Sequence, residues 1–181
     1  MRKITNEELH RPTAEQFAQM KRIPVVVVLD NVRSAHNIGA FFRTGDAFAV
    51  ESIALCGITA TPPSRDIHKS ALGAELTVKW EYFATTAECV ARLKAEGYHI
   101  LAIEQVEGAT MLDELKVATD KRYALVFGNE VMGVEQAIVD MCDGAIEIPQ
   151  IGTKHSLNVS VAGGVVIWNF FEALKQEVCD I

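Results

Sequence analysis

Short unbroken apolar runs alternate along this chain with stretches in which apolar residues return every three or four positions. These are the two periods that separate buried strands from amphipathic helices. VVVVLD at 25–30 is a β-branched run of the kind found in a strand covered on both faces. Beyond a polar loop, Ile38, Phe41, Phe42, Gly45, Phe48 and Ala49 fall at helical spacing and predict an amphipathic helix beginning near Asn37, with Asn37 as its N-cap. SIALC (52–56) reads as a second strand, TPPS (61–64) as a turn, DIHKSALGA (66–74) as a short basic segment and TVKWEYF (77–83) as a third strand. A helix over 86–96 stops at Gly97, HILAIE (99–104) follows as a strand, and YALVFG (123–128) and AIEIP (145–149) flank a helix near 134–141. From Leu157 to Trp168 apolar residues run almost all round, which predicts a helix buried on every side with Ser156 as its N-cap. The alternation predicts an α/β fold, a mostly parallel sheet with helices on both faces, spanning 25–181 behind a polar, weakly helical arm at 1–24.

At 181 residues the chain suits one domain, and 49% hydrophobic residues with only 7% aromatics suit a layered core of strands and small helices. The start lacks the apolar core of a signal peptide and no apolar run approaches the ~20 residues that span a bilayer, so a soluble, cytoplasmic protein is expected. Cys56, Cys89, Cys142 and Cys179 are far apart with no C-x-x-C pair. That pattern supports neither a metal site nor a disulfide framework, and the four are read as buried thiols. The net charge of −7 argues at first against a polyanionic partner, but residues 1–80 carry net +2 and the remainder −9. Basic groups therefore concentrate in the N-terminal half, at Arg2, Lys3, Arg11, Lys21, Arg22, Arg33, Arg43, Arg65 and Lys69.

In open parallel sheets ligands sit beyond the carboxyl ends of the strands, and three loops there are unusual. In LDNVRSAHNIGAFFR, Gly39 leaves room for a close backbone approach and Arg43 points away from the Phe stripe, free to face a ligand or water. In VFGNEVMGV, Gly128 and Gly133 have Walker-like spacing without the Lys-Ser/Thr of a phosphate loop, and Glu130 stands beside a turn that can offer backbone groups to a flat polar ligand. In IPQIGTKHSLNVSVAGG, the polar Ser156, Asn158 and Ser160 open an apolar helix, and Gly163-Gly164 costs about 1 kcal/mol per residue relative to Ala, which predicts close packing at both. Capping and helix packing account for Ser156 and Ser160 better than for Asn158.

Taken together, NIGAFFR, FGNE and IPQIGTKHSLNVSVAGG resemble, in order and spacing, the three motifs of the SpoU/TrmH family of RNA ribose 2′-O-methyltransferases, within the SPOUT superfamily. The match runs from about Val25 to Phe171, with Asn37, Gly39 and Arg43 in the first motif, Gly128 and Glu130 in the second, and Ser156, Asn158 and Ser160 in the third. The resemblance implies an α/β sheet whose C-terminal part is threaded into a trefoil knot, S-adenosylmethionine held bent within the knot, and a homodimer with active sites at the subunit interface. By position, Glu104, Gly128, Ile148, Ser156 and Leu157 would line the cofactor pocket. Arg43, Asn37, Glu130, Ser156 and Asn158 would serve catalysis, Arg43 either as base or as a clamp on the adjacent phosphate that stabilises the developing alkoxide. Asn37, Glu130 and Asn158 would orient Arg43 and the ribose.

Many members of that family carry an extra N-terminal RNA-binding domain, whereas here the first strand is expected at residue 25. RNA would then be gripped by the catalytic domain, the arm and the second protomer. The leading expectation is a 2′-O-methyltransferase acting on tRNA, with ribosomal RNA as the alternative. A non-catalytic RNA-binding or assembly factor of the same fold is a second possibility, which intact Arg43, Glu130 and Asn158 disfavour. A nucleotide-binding α/β enzyme of unrelated chemistry is the third, disfavoured because both phosphate-loop fingerprints are missing.

Overall fold

The valine run at 25–28 lies in the middle of the sheet and faces both ways. In β1 (Ile23–Asp30), Val25, Val27 and Leu29 enter one hydrophobic cluster while Val26 and Val28 enter another on the opposite face. The chain is described by a computed structural model over residues 1–5 and 7–178. The other strands are β2 (Val50–Cys56), β3 (Trp80–Phe83), β4 (Tyr98–Ile103), β5 (Thr110–Met111), β6 (Arg122–Phe127) and β7 (Gly144–Glu147). They form one seven-stranded parallel sheet in the order β3-β2-β1-β6-β4-β7-β5. The expected strands are all present within a few residues of their predicted bounds. β5, two residues long, left no periodicity to read. Its brevity, like that of β3, suits an edge, where a long strand would invite pairing with another chain.

The helices are α1 (Ala14–Gln19), α2 (Ala35–Ala47), α3 (Arg65–Ala71), α4 (Thr86–Ala95), α5 (Gln136–Val139) and α6 (Val159–Leu174). Side chains of α2, α3 and α6 fill the cluster on one face of the sheet, and those of α4 and α5 the cluster on the other. DIHKSALGA, expected only as a basic segment, contains most of α3, whose N-cap Ser64 accepts a hydrogen bond from the Ile67 amide. Two other caps differ from expectation. Ser34, not Asn37, caps α2, because the first helical turn is polar and the apolar period begins only at Ile38. Asn158, not Ser156, caps α6, its Oδ1 accepting from the amides of Ser160 and Val161.

Helix α6 is not buried on every side. Val166, Ile167, Phe170 and Leu174 are fully covered, but Val161, Val165 and Trp168 are 53, 40 and 48% exposed, a stripe at i, i+4 and i+7. Apolar composition alone does not say which flank the chain's own elements cover. Gly163 packs as expected: a Cβ there would overlap the ring of Phe41 on α2. Gly164 does not, since nothing lies within 4 Å of where its Cβ would be.

The arm holds α1 and a 3-10 turn at Glu7–Leu9. Arg22 is committed to anchoring α1, its guanidinium 3.7 Å from the Phe17 ring centroid and its Nη2 donating to the Phe17 carbonyl at 2.8 Å. Cys56 and Cys89 are buried, Cys142 is half-buried, and Cys179 lies outside the described residues. Hydrogen bonding with Cys89 and burial push the Cys56 thiol up, which keeps it protonated and unreactive. No helix among the described residues is long and apolar enough to cross a membrane.

Candidate active site

The chain leaves β1 toward α2 and β2 on one side, and leaves β6 toward α5 and β7 on the other. Loops that diverge in this way open a crevice beyond the carboxyl ends of the two neighbouring strands. Side chains from both loops, and from the start of α6, meet there. The Glu130 carboxylate accepts hydrogen bonds from the Arg33 amide at 3.0 Å, the Ser34 amide at 2.9 Å and Asn37 Nδ2 at 3.0 Å, so it closes the N-terminus of α2. Burial works to raise the Glu130 pKa, but the two amides and the Asn37 side chain outweigh it and hold the carboxyl below the usual carboxylate range.

Asn37 continues the chain of contacts. With Nδ2 given to Glu130, its Oδ1 accepts from Asn158 Nδ2 at 3.2 Å and shares, as the longer arm at 3.3 Å, the one hydroxyl proton of Ser160. Asn158 Oδ1 in turn accepts from Ser160 Oγ at 2.7 Å. Every polar atom of the Asn37 amide has a partner, which fixes its orientation and leaves Glu130 no freedom to swing away. Three segments distant in sequence are thereby locked into one edge.

A cavity of about 500 Å3 opens beside this edge. Glu104, Gly128, Ile148, Ser156 and Leu157, the five expected cofactor positions, all line it, as do Glu130 and Asn158. Ile103, Phe127 and Ile146 form its apolar floor. A Cβ at Gly128 would overlap the backbone of Gly133 and Val134, so only glycine lets the two ends of this loop cross. Asn129 and Gly133 exchange amide-to-carbonyl hydrogen bonds at 2.9 Å, and Gly133 holds φ +69°, a conformation that favours glycine. Glu104 seals the turn, accepting from the Val134 amide at 2.9 Å and the Gln105 amide at 2.8 Å.

Arg43 does not join this set. It is exposed on α2, lines no part of the cavity and makes no hydrogen bond or ion pair among the described residues. Six residues beyond Asn37 on a helix, it projects about 120° round the axis from it. Gly39 makes the close approach expected of it, against the Ile67 carbonyl and Ser70 of α3.

Sequence reasoning passed over two residues. Asn129 donates to the Asn31 carbonyl at 2.8 Å and accepts from the Val131 amide, tying the loop after β6 to the loop after β1. Gln105 Nε2 donates to the His155 carbonyl at 3.0 Å, joining the loop after β4 to the segment before α6. Ser160, expected as a third-motif residue that capping and packing would explain, also belongs to the hydrogen-bonded edge. Asn129 carried a signal, an Asn between two turn glycines that can satisfy local amides; Gln105 carried none.

The profile of the SpoU rRNA Methylase family matches residues 24–168. A tRNA (guanosine(18)-2′-O)-methyltransferase of Thermus thermophilus is 32% identical over 94% of this chain and 84% of its own length. A 23S rRNA (guanosine-2′-O-)-methyltransferase of Vibrio vulnificus is 31% identical over 86% of this chain and 60% of its own length. The crystal structure of an AdoMet-bound rRNA methyltransferase from Sinorhizobium meliloti superposes with a TM-score of 0.78 at 26% identity, covering 91% of this chain and 61% of that one. The chain spans only 60 to 66% of the length of several curated relatives it matches. With a family profile over most of its length and a relative of this identity across nearly all of it, the chain belongs to the SpoU rRNA methylase family.

Proposed function

We propose that the protein transfers a methyl group from S-adenosylmethionine to a ribose 2′-hydroxyl of RNA in the cytoplasm. The observation that carries this reading is the locked edge of Glu130, Asn37, Asn158 and Ser160 standing at the rim of the cavity. The cavity lies within the range of about 300–1,000 Å3 typical of ligand sites, and its lining joins an apolar floor to polar groups such as Glu104, Ser156 and Asn158, which suits a cofactor with both apolar and charged parts. The loop from Gly128 to Gly133 lines the cavity along its whole length, so its backbone groups stand beside the space a planar base would fill. When bound, the cofactor supplies a methyl group already activated on a sulfonium.

The chain's own residues then align the acceptor. Asn158 and Ser160 are positioned to hold the ribose against the cavity mouth, and Glu130 and Asn37 keep that edge rigid. A guanidinium donates five N–H bonds and accepts none, so Arg43 acts as a phosphate clamp that stabilises the developing alkoxide. Since Arg43 turns away from its own cavity, the reading includes a homodimer in which Arg43 of the partner subunit completes each site. The exposed stripe of Val161, Val165 and Trp168 on α6 supports such an interface. The reading also includes the trefoil knot, which the contact between the loop after β4 and the segment before α6, at Gln105 and His155, supports.

Transfer RNA is the favoured substrate, because the Thermus relative matches over 84% of its own length and the Vibrio rRNA enzyme over 60%. Two measurements test the reading. S-adenosylmethionine at 100 times its dissociation constant should stabilise the protein by about 2.7 kcal/mol in a thermal shift. Arg43→Ala should keep that shift and lose methyl transfer to bulk tRNA. Retained turnover would remove Arg43 from the mechanism, and transfer confined to ribosomal RNA would reverse the choice of substrate.

A further inference from the structure

A second cavity, also of about 500 Å3, lies between α3 and the edge strand β3, on the side of α3 turned away from α2. Its walls include the Pro62 and Pro63 rings, the exposed Leu76 and the face of Trp80, which is 37% exposed; Arg65 and His68 stand along α3 above them. The strand's alternation explains why the indole is outside. Glu81 and Phe83 point to the other face, where both engage Arg92 of α4, leaving Trp80 and Tyr82 side by side on this one.

The charges around the groove are one-sided once existing pairs are removed. Asp66 is held by Lys69 at 2.7 Å, and the nearly buried Glu75 by His68 and the Gly73 amide. Arg65, exposed on the groove wall, has no side-chain partner among the described residues. The groove also leads to the site already described. Tyr82 donates its hydroxyl to the Gly57 carbonyl at 3.0 Å, the neighbouring Ile58 amide donates to Asn31 Oδ1 at 3.2 Å, and two residues after Asn31 come the amides that hold Glu130.

The geometry points to a nucleobase subsite: an unpaired nucleotide of the substrate RNA stacks on Trp80 against the proline rings, with its phosphate on Arg65. Flat apolar walls recognise the π-face of any base, and the unpaired guanidinium supplies the charge complement of the backbone. An acidic protein with so few aromatics thereby gains RNA affinity from stacking rather than from a broad basic surface. The inference rests on the reading that the substrate is RNA.

The test uses the full chain and a fluorescein-labelled twelve-nucleotide oligouridylate, followed by fluorescence anisotropy. Trp80→Ala should weaken binding by about 5- to 150-fold, the range for loss of one base–aromatic stack, while Trp80→Phe stays within about threefold of wild type. Arg65→Ala should weaken binding and lower the salt slope by about 0.7, one phosphate contact on a single strand. Leu76→Glu, at an already exposed side chain, should also weaken binding through repulsion at the groove lip, without a change in the core. The S-adenosylmethionine thermal shift, measured on every variant, reports that the fold is intact.

Unchanged oligouridylate affinity in Trp80→Ala and Leu76→Glu overturns the subsite. If wild type still methylates RNA in that case, the enzymatic reading stands without it. If wild type shows neither methyl transfer nor a cofactor shift while the Trp80 dependence persists, the enzymatic reading falls and the groove remains an RNA contact. A change in sedimentation of Trp80→Ala with oligouridylate affinity unchanged also overturns the proposal, by assigning the groove to protein.

Discussion

Replacing Asn37 by Asp is the sharpest probe of the locked edge, because it alters one atom of a side chain that is only 9% exposed. The retained Oδ1 can still accept from Asn158, but the new oxygen replaces the Nδ2 donor and sets a second carboxylate against Glu130 at about the same 3.0 Å. Two unit charges at that separation repel by about 1.4 kcal/mol at the dielectric of water and about 5.5 kcal/mol at an effective dielectric of 20. Glu130 is solvent-facing and Asn37 is not, so an intermediate cost of about 2–4 kcal/mol is expected. With an unfolding entropy of about 2.1 cal/mol/K per residue, that is a fall in Tm of about 5–10 °C near neutral pH.

The pH dependence separates repulsion from a simple lost contact. Like-charge proximity raises one carboxyl of the pair above its unfolded value, so the penalty is full above that raised pKa and disappears as pH falls toward the unfolded value. Glu130 in the native protein runs the other way: its carboxyl is held low, so its stabilisation is present above the usual carboxylate range and is lost as pH falls through the folded value. Thermal unfolding between pH 7.5 and 4.5 should therefore show Asn37→Asp least stable at the upper end and converging on Asn37→Ala at the lower. A gap between these two variants that does not change with pH, or an Asp variant as stable as the Ala variant at pH 7.5, would refute the assigned geometry.

Gly128→Ala should abolish the S-adenosylmethionine thermal shift, because its Cβ meets backbone rather than a movable side chain; a retained shift would show that the loop can open. Gly163→Ala should lower stability by about 1–3 kcal/mol through overpacking against Phe41, read from denaturant unfolding. Val165→Lys should lower the sedimentation coefficient to that of a monomer and methyl transfer with it, while a dimer that persists would move the interface off α6.

The sheet was legible because β-branched runs and their flanking loops announce strands buried on both faces, and 25–30 is such a run. The three polar motifs were legible as loops after strands, and the fold brings Asn37, Glu130 and Asn158 into contact as a single edge. Cap positions were less so. Hydrophobic periodicity dates α2 from Ile38, but the helix has already begun at Ala35, ahead of the polar His36 and Asn37, and only the Ser34 side chain marks its start. Helix α6 misled for another reason: an apolar side chain reports that it should be covered, not by what, and Val161, Val165 and Trp168 are left bare by their own chain. The crossing at Gly128 depends on two backbone segments meeting in space, which no local spacing encodes.

The hydrogen-bonded edge also has a consequence for how the molecule is made. Its two joints span 93 residues, from Asn37 to Glu130, and 121 residues, from Asn37 to Asn158. Contacts of such sequence separation form slowly, since their loop-closure entropy must be met before they return any energy. A chain emerging from the ribosome up to residue 150 contains every strand of the sheet yet lacks both Asn158 and the helix that presents it. The edge is thus complete only when the last helix docks, and an unfinished chain lacks it.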